Sequence, residues 1–254
     1  MTRRIAAAFF FLALALAPLV AKAQEAVEEA PPVIGEVMEV EGAATLQSGE
    51  SPPQTATADM PVYLGDKIAT GADSRVLIVF IDETEITLSD DTQLTIDEYI
   101  FDPEDDTSNK AIYSFGRGVF QYVSGLIAKR ADPDVTLKTP VGTLGIRGTT
   151  VWGGDTDSGA YGVYVEEGFV TVETDAGETL LRQGEGSDVQ GRAFHPGPAM
   201  AWAPEKLERS RKRLRLKRHD LVRELVRKKD GHRKELRKSF KNFMKKRRER
   251  RKWK

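Results

Sequence analysis

The sequence has 254 residues, no cysteine and an almost balanced net charge of −1. The lack of cysteine excludes disulfides and thiolate metal sites, so the fold must be stabilised by its hydrophobic core. The balanced total conceals a strong asymmetry. Residues 205–254 contain 25 Lys and Arg against 7 Asp and Glu, a net charge of +18, and residues 1–204 have a net charge of −19. This asymmetry predicts an acidic globular body followed by a basic tail.

The first 23 residues have the three parts of a secretory signal peptide. Arg3 and Arg4 precede an apolar run over residues 5–20, which leads to the small-residue pattern Ala21-Lys22-Ala23. This run is short for a membrane-spanning helix, and a suitable cleavage site follows it. We therefore expect residues 1–23 to be removed during export, which leaves a periplasmic or secreted protein. A membrane anchor is the alternative.

The region after the signal peptide is predicted to be rich in strands. Residues 24–32 are acidic and end in proline, which indicates a short linker. Over residues 33–195, apolar and polar side chains alternate between glycines and turn residues, without a helical period. Both faces of residues 76–81 are apolar, which predicts a strand that is buried on both sides. We therefore expect residues 33–195 to form one β domain.

Glycine corners recur within this domain. A strand, a corner and a second strand follow one another around Gly42, Gly125 and Gly168. Repeated corners of this type are typical of a coil or roll in which each unit buries one face on its neighbour. The predicted fold class is all-β: a glycine-cornered β-solenoid or roll-like module, followed by a basic α-helical C-terminal tail.

The most distinctive passage is residues 139–150, which read Thr-Pro-Val-Gly-Thr-Leu-Gly-Ile-Arg-Gly-Thr-Thr. Pro140 fixes its own φ, and three glycines at intervals of three residues permit positive φ or a close approach of two backbones. Arg147 is the only charged residue of the passage. Its five donors can bind carbonyl groups and tie a β corner together, or they can bind an anion. We interpret Arg147 as structural and keep the anion site as the alternative.

Several spaced elements of the chain resemble the FecR domain family. They are Gly65-Asp66, Thr70-Gly71, the strand that ends in Phe80-Ile81-Asp82, the strand around Gly116 and Gly118, Gly125, and the passage from Thr139 to Thr149. The resemblance covers about residues 62–152. It implies a periplasmic β-rich module without catalytic activity, known best from regulators that pass a signal from an outer-membrane receptor to a sigma factor.

The chain also departs from those regulators. It lacks their sigma-binding domain, spanning helix and receptor-signalling domain, so we do not carry the sigma-factor role over. The motif residues to which the resemblance assigns a structural role are Gly65, Asp66, Thr139, Pro140, Gly145, Arg147, Gly148 and Thr149.

No group of residues in the sequence points to catalysis. The three histidines lie outside the strand-like region or at its very end, and there is no nucleophile elbow, phosphate-binding loop or zinc-protease motif. The acidic stretch 102–109 lacks the glycine and the distal glutamate of an EF-hand loop, which favours a solvated loop over a calcium site. We predict no catalytic residue, cofactor or metal. A hydrolase with paired carboxylates is the remaining enzymatic alternative.

The C-terminal region is predicted to be a linker, residues 196–204, and a basic helical tail, residues 205–254. Apolar residues recur at helical spacing in two stretches, and Asp230-Gly231 is predicted to break the helix between them. The tail can fold back on the acidic body, bind an anionic membrane surface or envelope polyanion, or bind nucleic acid. Nucleic acid is the least favoured because no base-reading motif is present. The predicted interaction residues are Arg211, Lys212, Arg213, Arg247 and Arg248.

Together these observations predict an exported, non-enzymatic binding or scaffold protein of the bacterial cell envelope. It is expected to sense or assemble with an envelope partner through its β surface, and its tail is expected to attach it. A periplasmic module like that of the signalling regulators is the alternative. The sequence does not indicate which protein or ligand is bound.

Overall fold

A computed structural model describes residues 30–104, 106–217, 224 and 226–252, without the side chains of residues 106, 247, 248 and 250–252. The predicted signal peptide and most of the predicted linker 24–32 lie outside the described residues, as do Leu221 and Leu225 of the tail. The described residues from Pro31 onward belong to one compact unit.

In its described part this unit contains sixteen strands, one 3₁₀ turn at Asp106–Ser108, and two helices whose bounds both lie among the described residues; residues 226–228 are also helical. The strands are β1 (Gly35–Glu41), β2 (Ala44–Gln47), β3 (Gln54–Thr55), β4 (Pro61–Val62), β5 (Lys67–Thr70), β6 (Arg75–Phe80), β7 (Glu85–Leu88), β8 (Gln93–Ile100), β9 (Lys110–Phe115), β10 (Val119–Val123), β11 (Asp134–Thr139), β12 (Gly142–Asp155), β13 (Tyr161–Thr174), β14 (Gly177–Arg182), β15 (Glu185–Val189) and β16 (Met200–Ala201). The helices are α1 (Pro204–Leu214) and α2 (Asp230–Lys252).

The strands form one curled sheet. Its main path runs β3-β2-β5-β8-β9-β11-β12-β10-β7-β6-β1-β4, and β13 continues it from β12. Strands β1 and β2 lie near opposite ends of this path, yet only Gly42 and Ala43 separate them in the chain. The two ends of the path must therefore meet at Gly42, which has a φ of +77°. This closure wraps the sheet around a shared core.

The long hairpin of β12 and β13 connects two parts of the sheet. The first half of β12 pairs with β11 and its second half pairs with β10. Likewise, β13 pairs with β15 through its first half and with β14 through its second half. The change of partners coincides with a register shift and with positive φ at Gly148 (+59°) and Gly168 (+76°). Both strands therefore bend at one point.

The prediction of a mostly β body with a helical tail is confirmed. Almost all strand pairs are antiparallel, and β9 with β11 is the single parallel pair among the described strands. The more specific prediction of a solenoid or roll is not confirmed. Gly42 and Gly168 lie at corners, as predicted, whereas Gly125 follows β10 and has no positive φ.

Strand β6 is buried on both faces, as its sequence predicts. Val76, Ile78 and Phe80 face the main core. The opposite face carries Leu77 and Val79, which pack against Leu216 of the tail. The second apolar face of β6 is therefore covered by the C-terminal region of the same chain, and the tail belongs to the folded unit.

The predicted linker 196–204 also belongs to this unit. It contains β16, which pairs with β15, and Trp202, whose side chain is buried against Trp152 and Tyr164. Residues 226–228 are helical, residue 229 is a turn, and helix α2 begins at Asp230, so the helix is broken one residue before the predicted position Asp230-Gly231.

Candidate functional site

The start of the distinctive passage forms the turn between β11 and β12. The buried Thr139 hydroxyl donates to the carbonyl oxygen of Gly142 at 2.9 Å and accepts from its N–H group at 3.2 Å. Pro140 lies at the exposed tip of this turn, where its fixed φ fits a reversal of the chain. Thr139 therefore closes the turn locally.

Gly65 and Asp66 form a second turn, before β5. Gly65 has a φ of +86°, and the carboxylate of Asp66 accepts a hydrogen bond from the N–H group of Tyr63 at 2.8 Å. Asp66 is almost fully buried, and this burial raises the pKa of its carboxyl group. These two residues have a local structural role.

Gly145 and Arg147 lie on the outer face of the sheet. In the paired strands, Arg147 is opposite Phe169, and Phe169 is opposite Arg182 of β14. The side chain of Arg147 is exposed and makes no hydrogen bond or ion pair with the described residues. The structure therefore does not show Arg147 tying the corner together.

The bend itself is tied by Ser124 and Thr149. The Ser124 hydroxyl accepts from the N–H group of Thr149 at 2.7 Å, and the N–H group of Ser124 donates to the carbonyl of Thr149 at 2.9 Å. The Thr149 hydroxyl is buried and has no partner among the described residues. Gly168 must lack a side chain because a Cβ atom there would lie 2.3 Å from the carbonyl oxygen of Gly148.

A buried carboxylate lies next to this bend. Asp82 is completely buried, and it accepts hydrogen bonds from the Tyr99 hydroxyl at 3.0 Å and the Thr84 hydroxyl at 2.8 Å. The N–H group of Ile127 donates to the same carboxylate at 3.3 Å. A Cβ atom at Gly125 would lie 2.4 Å from the carbonyl oxygen of Asp82. Asp82 thus joins the β6–β7 turn to β8 and to the segment after β10.

Burial raises the pKa of Asp82, and the hydrogen bonds from Thr84 and Tyr99 oppose that rise. Burial also raises the pKa of the Tyr99 hydroxyl. A buried carboxyl group needs these donors because an unpaired buried charge is costly. The network is therefore a structural junction of the β domain.

Helix α1 packs on the second half of β12. The indole N–H group of Trp152 donates to the carbonyl of Ser210 at 3.1 Å. Two of the predicted interaction residues make ion pairs: Arg211 with Glu166 at 2.9 Å, and Arg213 with Asp90 at 3.4 Å. Lys212 is exposed, and the side chains of Arg247 and Arg248 lie outside the described part of the chain.

Helix α2 packs over the Asp82 junction. Phe240 is 3% exposed, and its ring contacts the Tyr99 ring edge to face at a centroid distance of 6.0 Å. The Arg237 guanidinium donates to the carbonyl of Ile81 and forms an ion pair with Glu83 at 2.7 Å. The tail thereby contacts both neighbours of Asp82 and the tyrosine that binds it.

A cleft of about 820 Å³ lies between the sheet and the tail. On the sheet side it is lined by residues of β6, β7, β10, β12 and β13 and by Glu83, Ser124 and Lys129. On the tail side it is lined by Leu214, Leu216, Val226, Arg227, Asp230 and Arg233. Its sheet wall combines apolar side chains, such as Leu77 and Val123, with carboxylates such as Glu85 and Glu166. Such a wall is complementary to a basic amphipathic segment.

Comparison with known proteins connects this geometry to a family. Residues 66–171 match the family described as FecR protein. Residues 66–171 form a FecR domain. This confirms the resemblance drawn from the sequence, and the match extends beyond the predicted core into the second half of β13.

Two crystal structures are similar to part of the chain. Both are of a candidate anti-sigma factor from Parabacteroides distasonis ATCC 8503, with sequence identities of 15% and 13% and a TM-score of 0.45 each. Each match covers 56% of this chain and 62% of the other, which is less than two thirds of that protein's length. No curated protein sequence matches the chain.

The FecR motif and the tail meet around Asp82, a residue to which the sequence did not assign a role. Asp82 belongs to the segment Phe80-Ile81-Asp82 that resembles the FecR family, but its role as a buried hydrogen-bond acceptor was not predicted. No Lys or Arg lies near Asp82 in the sequence, so the sequence does not indicate that this carboxylate has a bonding partner. Tyr99 was the available indication, since a buried phenol usually has a hydrogen-bond partner.

The Asp82 junction predicts that Tyr99→Phe destabilises the protein by about 1–3 kcal/mol, because the buried carboxylate loses a donor. Tyr161→Phe is the matched control, since the buried Tyr161 hydroxyl has no hydrogen-bond partner in the described part of the chain. Denaturant unfolding of both variants measures the difference. Equal loss of stability in the two would contradict the assigned role of Tyr99.

Proposed function

We propose that the protein is an exported, non-enzymatic regulatory module of the bacterial cell envelope, which binds an envelope protein through its FecR domain. The glycine-cornered strands serve as a roll-like scaffold for this binding. The cleft between the FecR sheet and the tail carries the proposal, because it presents apolar and acidic side chains that are suited to a basic amphipathic segment.

The tail is itself such a segment, and this supports the assignment of the cleft. Leu216 fills an apolar position on the sheet face, and cationic side chains on both sides of it pair with carboxylates of the body. A partner segment with the same pattern of charge and apolar residues would compete with the tail for these carboxylates and for the apolar positions of the sheet face. Binding at this place would also report on the position of the tail, which is what a sensing module requires.

The export part of the proposal rests on the three-part signal at residues 1–23. Within the described residues, no helix is long and apolar enough to cross a membrane.

Gln121→Arg tests the cleft. Gln121 is half-buried in the sheet wall, so an arginine there adds bulk and the charge that a basic partner would carry. Immobilised wild type should capture an envelope protein from periplasmic extract, and Gln121→Arg should capture at least tenfold less. Gln54→Arg, the same change on the exposed strand β3, should leave capture unchanged. Equal capture by all three proteins, or none by wild type, would contradict the proposal.

A second role for the tail is attachment to an anionic membrane surface. It is supported by Lys234, Lys238 and Lys245, which follow one another along the exposed face of α2 while Phe240 on the other face is buried. These cations therefore remain outward when the helix is packed on the sheet. Each cation near an anionic surface contributes about 1 kcal/mol at low salt.

Lys238→Glu with Lys245→Glu should weaken sedimentation with phosphatidylglycerol vesicles by at least about tenfold, because two attractive charges become repulsive. The control is Lys67→Glu with Lys129→Glu, which makes the same charge change on exposed residues of the body. Vesicles of phosphatidylcholine and a duplex DNA complete the set. Undiminished binding by the tail variant, or stronger binding to the DNA than to the anionic vesicles, would contradict this role.

A further inference from the structure

Strand β14 is a sheet edge with one unused side. Its only partner among the described strands is β13, and the other strands with a single partner, β3, β4 and β16, are two residues long. β14 has six residues. Of its outer side chains, Leu180 is 41% exposed, and the adjacent Phe169 of β13 is 43% exposed. An exposed edge of this length with apolar side chains is a template for another strand.

The hairpin fixes which backbone groups point to the free side. β13 and β14 are joined by the two-residue turn Asp175-Ala176, and Thr174 pairs with Gly177 directly across it. The two residues that flank a two-residue turn form a hydrogen-bonded pair. Along an antiparallel ladder, hydrogen-bonded pairs alternate with non-hydrogen-bonded pairs, whose N–H and C=O groups point away from the partner strand. The backbone N–H and C=O groups of Glu178, Leu180 and Arg182 therefore point away from β13.

The same three residues carry a self-complementary pattern. Their side chains alternate with the inward-facing Thr179 and Leu181, so all three lie on the exposed face of the sheet. In order they are negative, apolar and positive. When two such strands pair antiparallel about Leu180, Glu178 of each lies opposite Arg182 of the other, and Leu180 lies opposite Leu180. Pairing about Glu178 or Arg182 would instead place like charges opposite each other.

We propose that two copies of this protein associate by antiparallel pairing of β14 with β14 about Leu180, which joins their sheets across a two-fold axis. The interface is isologous, as is usual for homodimers. Phe169 is diagonal to Leu180 on the neighbouring strand and adds apolar contact on the same face. The strand that pairs with this edge is thus β14 of a second copy, because antiparallel pairing places each negative side chain opposite a positive one.

One hydrogen bond within the chain must be replaced for this pairing to form. The N–H group of Arg182 is bound by the carboxylate of Glu185 at 2.8 Å. Glu185 follows β14 in the same chain, and its bond is replaced by the carbonyl of Glu178 from the other copy. The Glu178 and Leu180 amides make no hydrogen bond to another segment in the described part of the chain. The edge is otherwise ready to pair.

The lack of cysteine permits a direct test by cross-linking. Leu180→Cys introduces a single thiol, and a hydrogen-bonded antiparallel pair has a Cα separation of about 5.5 Å, within the range of a disulfide. Mild oxidation should convert this variant to a covalent dimer. The control is Glu173→Cys, which places the thiol on the same face but one strand away from the edge. Equal dimer yields from the two variants would overturn the proposal.

Charge-reversal mutations of Glu178 and Arg182 provide an independent test that does not depend on a thiol. Sedimentation velocity should show a concentration-dependent dimer for wild type. Glu178→Arg alone and Arg182→Glu alone should each weaken the dimer by at least about tenfold, because each places like charges opposite each other. The double variant should restore it. A wild type that stays monomeric at high concentration, or a double variant no better than the single ones, would overturn the proposal.

Discussion

The basic tail is held on the acidic FecR sheet by buried apolar contacts and by ion pairs around them, and what the surface leaves accessible depends on this packing. Phe240 against Tyr99 supplies apolar burial, while Arg211, Arg213 and Arg237 pair with carboxylates of the body. Exposed ion pairs are individually weak, about 0–1 kcal/mol each. The aromatic contact and the covered face of β6 therefore provide most of the stabilisation, and the charges determine the orientation of the tail.

The bend at Gly148 and Gly168 determines what this packing leaves accessible. It directs the second half of β12 towards α1, so that Trp152 is covered by the tail. It also leaves the first half of β12, with the second half of β13 and β14, as an outer face on which Arg147 and Phe169 are exposed. One end of the β12–β13 hairpin thus packs against the tail, and the other end pairs with β14, the free edge of the sheet.

The sequence predicted the β domain, the tail and the family, and each of these depends on patterns that local residues carry. Alternation within β6 and the glycine-rich passage after β11 are such patterns. The role of Arg147 was predicted less well, because the sequence shows a fork of donors without showing which face of the strand carries it. A one-residue change in register moves a side chain from the core to the surface. Arg147 alternates with the buried Leu144 and Ile146 in β12 and therefore lies on the outer face of the sheet.

The site was also only partly predictable because it joins residues that are far apart in the chain. Asp82 accepts hydrogen bonds from three different segments. Arg237 donates a hydrogen bond to the carbonyl oxygen of Ile81, which precedes Asp82 and lies 156 positions from Arg237 in the sequence. No local pattern records such contacts. The charge difference between body and tail did indicate that the two halves attract each other, but it did not indicate where.

The packing of α2 on the FecR sheet can be measured by native-state hydrogen exchange. The amides around Phe240 should exchange more slowly than those of an isolated helix of the same sequence. High salt should reduce this protection only in part, because ion pairs are screened and the buried aromatic contact is not. Unprotected exchange throughout α2 at low salt would show that the helix is not packed on the sheet.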